Sequence, residues 1–413
     1  MFTRPIAIGL SPNTESKDYL VALQTLFQPW KWNTTDTLVA LENWFKNRFS
    51  VSHAYSFNAG RSALLAILHS FGLHEGDEVL LQAFTCVAVP NSVRWAGLVP
   101  KFVDIDRTLN LDIRDAEKKI SPKTKVMIVQ HTFGIPAEMD LITDFCKKHG
   151  LYLVEDCAHS LGATYKGKAV GTFGTAAFFS FGRDKIISSV FGGVAITVDP
   201  IFGARMKDYR RRLPHPGFIW TLRQLAHPLA FAVILPLYSS GIGKLLLWIL
   251  QKLHLLSFPV YPEEKKGRQP HDFPKQLPVA LARLALAQLV RVDSFNERRC
   301  EHAESYRKRL QNVELMPVLS GAIYLRFPLI SLKAEELQFR AKKEGMLFGN
   351  WYHHVIDPTG TDLTQIGYEW GSCPASEQTA RTIINLPTYP TLSSQAHAQV
   401  CSFINKSYAQ DIR

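Results

Sequence analysis

Between about residue 60 and residue 200 this chain alternates short apolar runs with helical segments, and that alternation leaves it few folds. The helical runs are Arg61–Phe71, closed by Gly72, then Cys86–Ala96 and Met139–Lys148. Apolar stretches stand beside them at Glu78–Leu81, Val99–Val103, Lys125–Gln130 and Tyr152–Glu155, and Ala176–Phe181 and Val194–Val198 continue the series. Apolar strands alternating with helices predict an α/β fold, with a mostly parallel sheet covered on both faces. Sheets of this kind bind ligands at the carboxyl ends of their strands. Asp104, His131, Asp156 and Ser180 all fall at or near such ends.

Two of the polar residues along this stretch suggest a chemistry. Asp156 closes the strand that opens VEDCAHSLGA, and Lys185 follows in the Ser/Gly-rich turn FFSFGRDKIISSVFGG. Pyridoxal phosphate needs such a pair. A lysine amine forms a Schiff base with its aldehyde, and a carboxylate keeps its ring nitrogen protonated so that the ring accepts electrons. The spacing alone carries little weight, because a solvated turn lysine and a strand-end aspartate are common.

Beyond residue 200 the pattern changes. Pro278–Leu310 reads as one long helix joining a large domain, 1–277, to a smaller α+β domain, 311–413, with strands expected near Ile323–Phe327 and Ile383–Leu386. Residues 218–260 contain no Asp or Glu and hold two apolar runs, Leu229–Leu235 and Lys244–Leu256, within an apolar insertion at about 215–268. Neither run reaches the roughly 20 residues of a spanning helix. Three readings stay open: core helices covered by the protein or a partner subunit, a hairpin lying on an anionic membrane, with Arg205–Arg212 and Lys265–Arg268 beside it, or, least favoured, a true span.

Composition narrows the partners. The formal charge of +11 suits nucleic acid, an anionic membrane or an anionic substrate. Without zinc-finger spacing or a basic–aromatic repeat, nucleic acid is not expected. Six cysteines are scattered without a CxxC pair, which fits a reducing compartment and no metal site. The first residues, MFTRPIAIGLSP, carry too short an apolar run for a signal peptide. A cytoplasmic location is expected, with the inner face of the membrane as the alternative raised by 218–260.

The chain resembles the DegT/DnrJ/EryC1/StrS family of PLP-dependent sugar aminotransferases. The resemblance rests on the joint order of NAGRSALLAIL (58–68), GDEVLLQAFTCVAVPNSV (76–93), VPKFVDIDRTLNLD (99–112), HTFGIPAEMD (131–140), VEDCAHSLGATYKGKAVGTFG (154–174), FFSFGRDKIISSVFGG (178–193), ALAQL (285–289) and NLPTYPTLS (385–393). It implies fold type I, with a seven-stranded sheet, and a homodimer whose active sites lie at the subunit interface. It implies transfer of an amino group from glutamate or glutamine to a nucleotide-linked keto sugar, in surface polysaccharide, lipopolysaccharide or amino-sugar biosynthesis. A PLP enzyme of another reaction type, or a non-catalytic regulatory or membrane-associated member, is the alternative.

The resemblance also assigns residues. Lys185 matches the Schiff-base lysine, where a histidine would imply a dehydratase, and Asp156 matches the ring-nitrogen partner. His159 matches a contact to the cofactor's O3′ or ring edge, with a satisfied core histidine as its competitor. Ser180 matches a phosphate-binding hydroxyl. Gly60, Arg61 and Ser62 match the helix-opening phosphate loop, Arg61 either touching phosphate or pointing to solvent. His131, Trp351, Tyr352, His353 and His354 are candidates for the sugar, or for packing between domains. Two departures stand out. Cys86 occupies the position that usually stacks an aromatic on the ring. Pro274, Lys275 and Gln276 replace an Asn-x-Arg segment that reaches the partner's phosphate, leaving Lys275 or Arg61 to supply the charge.

Overall fold

The computed structural model describes residues 4–11 and 13–409. Seven strands make the central sheet: β1 (His53–Phe57), β2 (Glu78–Gln82), β3 (Val99–Val103), β4 (Thr124–Gln130), β5 (Tyr152–Asp156), β6 (Ala176–Ser180) and β7 (Gly193–Thr197). Their order is β1-β7-β6-β5-β4-β2-β3. The run from β6 to β3 is parallel, and β7 pairs antiparallel with both β6 and β1. The α/β class and the mostly parallel seven-stranded sheet expected from the sequence are therefore present.

Alternation along each strand divides the core between the two faces. On β4, Met127 and Val129 belong to one buried cluster and Val126 and Ile128 to the other. The α-helices up to residue 309 are, in chain order, α1 (Ser16–Leu26), α2 (Asp36–Phe49), α3 (Gly60–Ser70), α4 (Ala88–Trp95), α5 (Ile113–Lys119), α6 (Met139–His149), α7 (Pro200–Arg212), α8 (Phe218–Ile234), α9 (Ile242–Lys252), α10 (Val279–Leu289) and α11 (Val292–Arg309). Phe45 of α2, Phe145 of α6 and Leu281 of α10 join the first cluster; Leu64 of α3, Val93 of α4 and Met206 of α7 join the second. Fully burying side chains of this size contributes about 1.5–3 kcal/mol each, so this double layer fixes the sheet that carries the site.

Three expected elements differ. The single helix over 278–310 is two, α10 and α11. Arg291 leaves helical geometry at φ −112°, ψ 2°, and its guanidinium pairs with Glu15 and Asp18 of the N-terminal segment. The helix expected from Cys86 begins at Ala88, because Cys86 is drawn into a bridge with Asp357. The strand expected at Ile323–Phe327 lies at Phe327–Ile330, since Ile323 donates its N–H to Gly134 O instead.

The C-terminal residues build a separate core around Tyr306, Phe327, Leu329, Ile384, Leu386 and Ile404. Phe327–Ile330 pairs antiparallel with Ile383–Leu386. The N-terminal Ile6–Ala7 crosses to this unit and pairs in parallel with Met346–Leu347. Among the described residues, no helix is long and apolar enough to cross a membrane.

Candidate active site

At the carboxyl ends of β5 and β6 the chain encloses a cavity of about 490 Å³. Asp156, His159, Ser180 and Lys185 all line it. The sheet sets this convergence: Asp156 is the last residue of β5, in register with Phe178 of β6, and Ser180 ends β6. The turn after β6 closes when Lys185 N–H donates to Gly182 O at 3.2 Å, which brings the lysine back over the strand ends.

Lys185 Nζ lies 2.8 Å from His159 Nε2. Phe133 N–H donates to His159 Nδ1 at 3.3 Å, which leaves the ring proton on Nε2, facing the lysine nitrogen. Burial, aided by the Lys185 and Arg326 charges, holds the imidazole well below its ordinary pKa, so it is neutral. Burial also lowers the Lys185 amine, as does the Arg326 charge, against Asp184, Cys86 and Asp156, which pull it up. A lysine meeting a neutral N–H donor in a desolvated site is biased toward the free amine, which is the nucleophilic form.

Asp156 is buried and accepts one backbone hydrogen bond, from Ala158 N at 3.0 Å. Burial raises its pKa to about 6, while the Ala158 bond, Lys185 and His131 oppose the rise. Among the described residues no cation lies in ion-pair contact with it. A buried carboxylate facing a cavity without a cationic partner suits a protonated ring nitrogen.

Gly60 opens α3 beside the end of β6. A Cβ there would lie 2.9 Å from Ser180 Cβ, so glycine is what lets the helix start sit against Ser180. Its N-cap, Ala59, is extended and supplies no capping side chain. The first-turn N–H groups therefore have no side-chain cap, an arrangement suited to an anion. Ser62 does not face the cavity: its hydroxyl donates to Asn58 Oδ1 at 2.8 Å. Arg61 lines the cavity, yet it takes neither expected role. Its guanidinium pairs with the buried Glu264 and donates to Pro259 O at 2.6 Å. Lys275 lies outside the lining, buried against Asp272 at 3.0 Å. Its backbone N–H donates to Asn58 Oδ1 at 2.9 Å, so Asn58 ties this segment to the loop that opens α3.

Trp351 and Tyr352 line the cavity, and so does Cys86, whose thiol burial pushes up to about 11. Tyr352 is buried against Phe84 and Phe133, its hydroxyl 3.5 Å from His159 Nε2. His131, expected as a sugar contact, is fully buried beneath the cavity. It accepts from Ala137 N–H at 3.1 Å through Nδ1 and donates through Nε2 to Glu155 at 3.1 Å. Glu155 also takes the N–H groups of Gly171, Phe173 and Gly174, so this pair ties down the loop after β5. His353 faces Asp357 at 3.4 Å and Thr359 at 2.7 Å, and His354 is exposed; neither lines the cavity.

Four supporting residues escaped the sequence reading. Asn13 donates to Lys185 O and is itself held by Arg299 at 2.7 Å. Arg326 is buried, pairs with Asp184 and stacks 3.6 Å from the Trp351 ring centroid. A lone cation in the apolar run AIYLRFPLI is the signal that points to Arg326. Asn13 and Arg299 carry no local signal. Taken together, the unpaired Asp156, the lowered Lys185 amine and the Gly60–Ser180 cradle fit pyridoxal phosphate.

The model of the DegT/DnrJ/EryC1/StrS aminotransferase family matches residues 13–214 and 273–405. A GDP-perosamine synthase of Vibrio cholerae is 37% identical over 387 residues, 89% of each chain. A GDP-perosamine synthase of Escherichia coli O157:H7 is 26% identical over 401 residues, 96% of this chain and 97% of that one. In structure the chain is similar to NtdA of Bacillus subtilis, solved with bound cofactor PMP, at a TM-score of 0.77 and 17% identity, covering 99% of this chain and 86% of that one.

Proposed function

Since the chain belongs to the DegT/DnrJ/EryC1/StrS aminotransferase family, we propose that it uses pyridoxal phosphate to move an amino group from glutamate or glutamine to a nucleotide-linked keto sugar. The product would enter surface polysaccharide, lipopolysaccharide or another amino-sugar product. The active form would be a homodimer in the cytoplasm, with its sites at the subunit interface. The observation that carries this reading is one cavity holding both a lysine amine lowered by burial and a buried carboxylate without a cation. The nucleotide link is supported by the two relatives named as GDP-perosamine synthases.

Bound there, the cofactor supplies an aldehyde that takes up amines and a ring that draws electrons from the adjoining carbon. The chain's own residues do the rest. Lys185 Nζ would supply the amine that holds the cofactor and the tethered base that moves a proton at the reacting carbon. His159 Nε2–H keeps that amine oriented. Asp156 would keep the proton on the ring nitrogen. The start of α3 and Ser180 would hold the phosphate, Cys86 would pack on the ring, and Trp351 with Tyr352 would offer aromatic faces to the sugar. Residues of α8 and α9, among them Phe231 and Leu247, close one wall against water.

The test is Lys185→Ala. The wild-type protein is expected to show a visible or near-ultraviolet absorbance band of bound cofactor that disappears on adding a productive amino donor. The variant is expected to lack both the covalent band and turnover. A variant that kept both would refute the assignment.

A further inference from the structure

Residues 215–272 fall outside the span matched by the family model, and they hold α8 and α9. The inner faces of these helices meet: Leu246, Leu247 and Leu250 of α9 pack on Phe231 and Ile234 of α8 and on Leu256. The outer face of α9 is also apolar. Ile242, Leu245, Ile249 and Leu253 follow one another at helical spacing and are 56%, 57%, 37% and 62% exposed. Trp248 beside them is 55% exposed, and Leu255 and Phe258 continue the apolar surface past the helix. An exposed apolar strip of this length is normally covered.

Charge identifies the cover. No acidic residue occurs from Tyr209 to Pro262, while Arg212, Arg223, Lys244 and Lys252 are exposed there. Lys252 Nζ stands 4.8 Å from the Trp248 ring centroid and Lys244 Nζ 5.4 Å from that of Tyr238, so each ammonium rides at the edge of the apolar face. A second copy docked by a two-fold axis through this surface would set cations against cations with no acid from the same segment between them. A tryptophan flanked by lysines on an apolar strip instead matches the boundary of an anionic bilayer, where stems and rings enter the acyl region and ammonium groups stay among headgroups. No helix here is long enough to span, so the contact is superficial.

We propose that the outer face of α9, with Leu255 and Phe258, docks the enzyme on an anionic lipid surface. Leu247 and Gln251 of the same helix line the catalytic cavity, so docking sets the cavity beside the bilayer. This goes beyond the amino transfer and does not depend on it.

The experiment is flotation of the intact holoenzyme with phosphatidylcholine vesicles, with and without about one third phosphatidylglycerol. The protein is expected to float with the anionic vesicles and far less with neutral ones. Raising salt from about 0.1 M to about 1 M, which shortens the screening length from about 10 Å to about 3 Å, should weaken the preference. Each of Lys244→Ala and Lys252→Ala should lower the partition coefficient about fivefold. The double variant Leu245→Glu/Trp248→Glu should lower it by at least about tenfold, with amino-transfer activity and sedimentation unchanged. Wild-type protein that fails to float, or a double variant that floats equally, would overturn the proposal. So would a double variant that sediments as a smaller species than the wild type without vesicles, because the face would then belong to a second copy.

Discussion

Replacing Asp156 by Asn should move stability and activity in opposite directions. Burial raises this carboxyl from 3.8 to about 6 in the folded protein without cofactor. A shift of about two units, at about 1.4 kcal/mol per unit, corresponds to about 3 kcal/mol. The folded value lies above the unfolded one, so the folded state holds the extra proton between them. Stability of the cofactor-free protein therefore falls as pH rises from about 4 through about 6, and stays lower above that. Asn cannot ionise, so cofactor-free Asp156→Asn should gain up to about 3 kcal/mol at pH 8 and almost nothing near pH 4. The new amide protons, lacking a built acceptor, will reduce the gain. With cofactor bound the same change removes the charge that holds the ring proton. Losing one member of a buried pair costs about 3–5 kcal/mol, which corresponds to a fall in kcat on the order of 10²-fold or more. Urea unfolding of the cofactor-free proteins at the two pH values reads the first effect, and single-turnover absorbance kinetics reads the second. No stability gain at pH 8, together with a single-turnover rate within about threefold of wild type, would refute both the burial argument and the role assigned to the carboxylate.

Two further outcomes follow from the geometry. Gly60→Ala places a methyl 2.9 Å from Ser180 Cβ; it should cost about 1–3 kcal/mol of stability and weaken cofactor binding about tenfold or more, read by spectrophotometric titration. His131→Ala removes the partner of the buried Glu155; it should destabilise the fold by about 3 kcal/mol in denaturant titration while leaving the KM for the sugar within about twofold.

The parts of this molecule that were legible in the sequence are those set by local pattern. Strand alternation placed Asp156 and Ser180 at strand ends and the glycines and serines around Lys185 marked a turn, while the pairing of lysine and carboxylate came from the family resemblance. The break between α10 and α11 was not legible, because it turns on Arg291 reaching Glu15 and Asp18 more than 270 residues away in sequence. His131 misled for a similar reason. A histidine at a strand end resembles a ligand-facing group until the strand neighbour Glu155 and the Ala137 N–H are seen to use both of its nitrogens.

The net charge of +11 suggested a cleft that draws in phosphates, and here residue identity and residue role part company. Arg61 lines the cavity, but its charge is met by Glu264, and Arg183, lowered to about 10 by burial, is held by Ser257. Both partners belong to 215–272, the segment outside the family match. Lys275 is likewise met by Asp272 of that segment. A guanidinium paired with a buried carboxylate offers a phosphate little net charge, since the pair's field falls off as a dipole rather than as an ion. On the reading proposed above, the phosphate would be held at the start of α3 against Ser180, with glycine at position 60 allowing the approach. The segment that carries α9 also supplies the partners of Arg61, Arg183 and Lys275, so, on the proposals above, shortening it would alter the charge of the cavity wall and surface docking together.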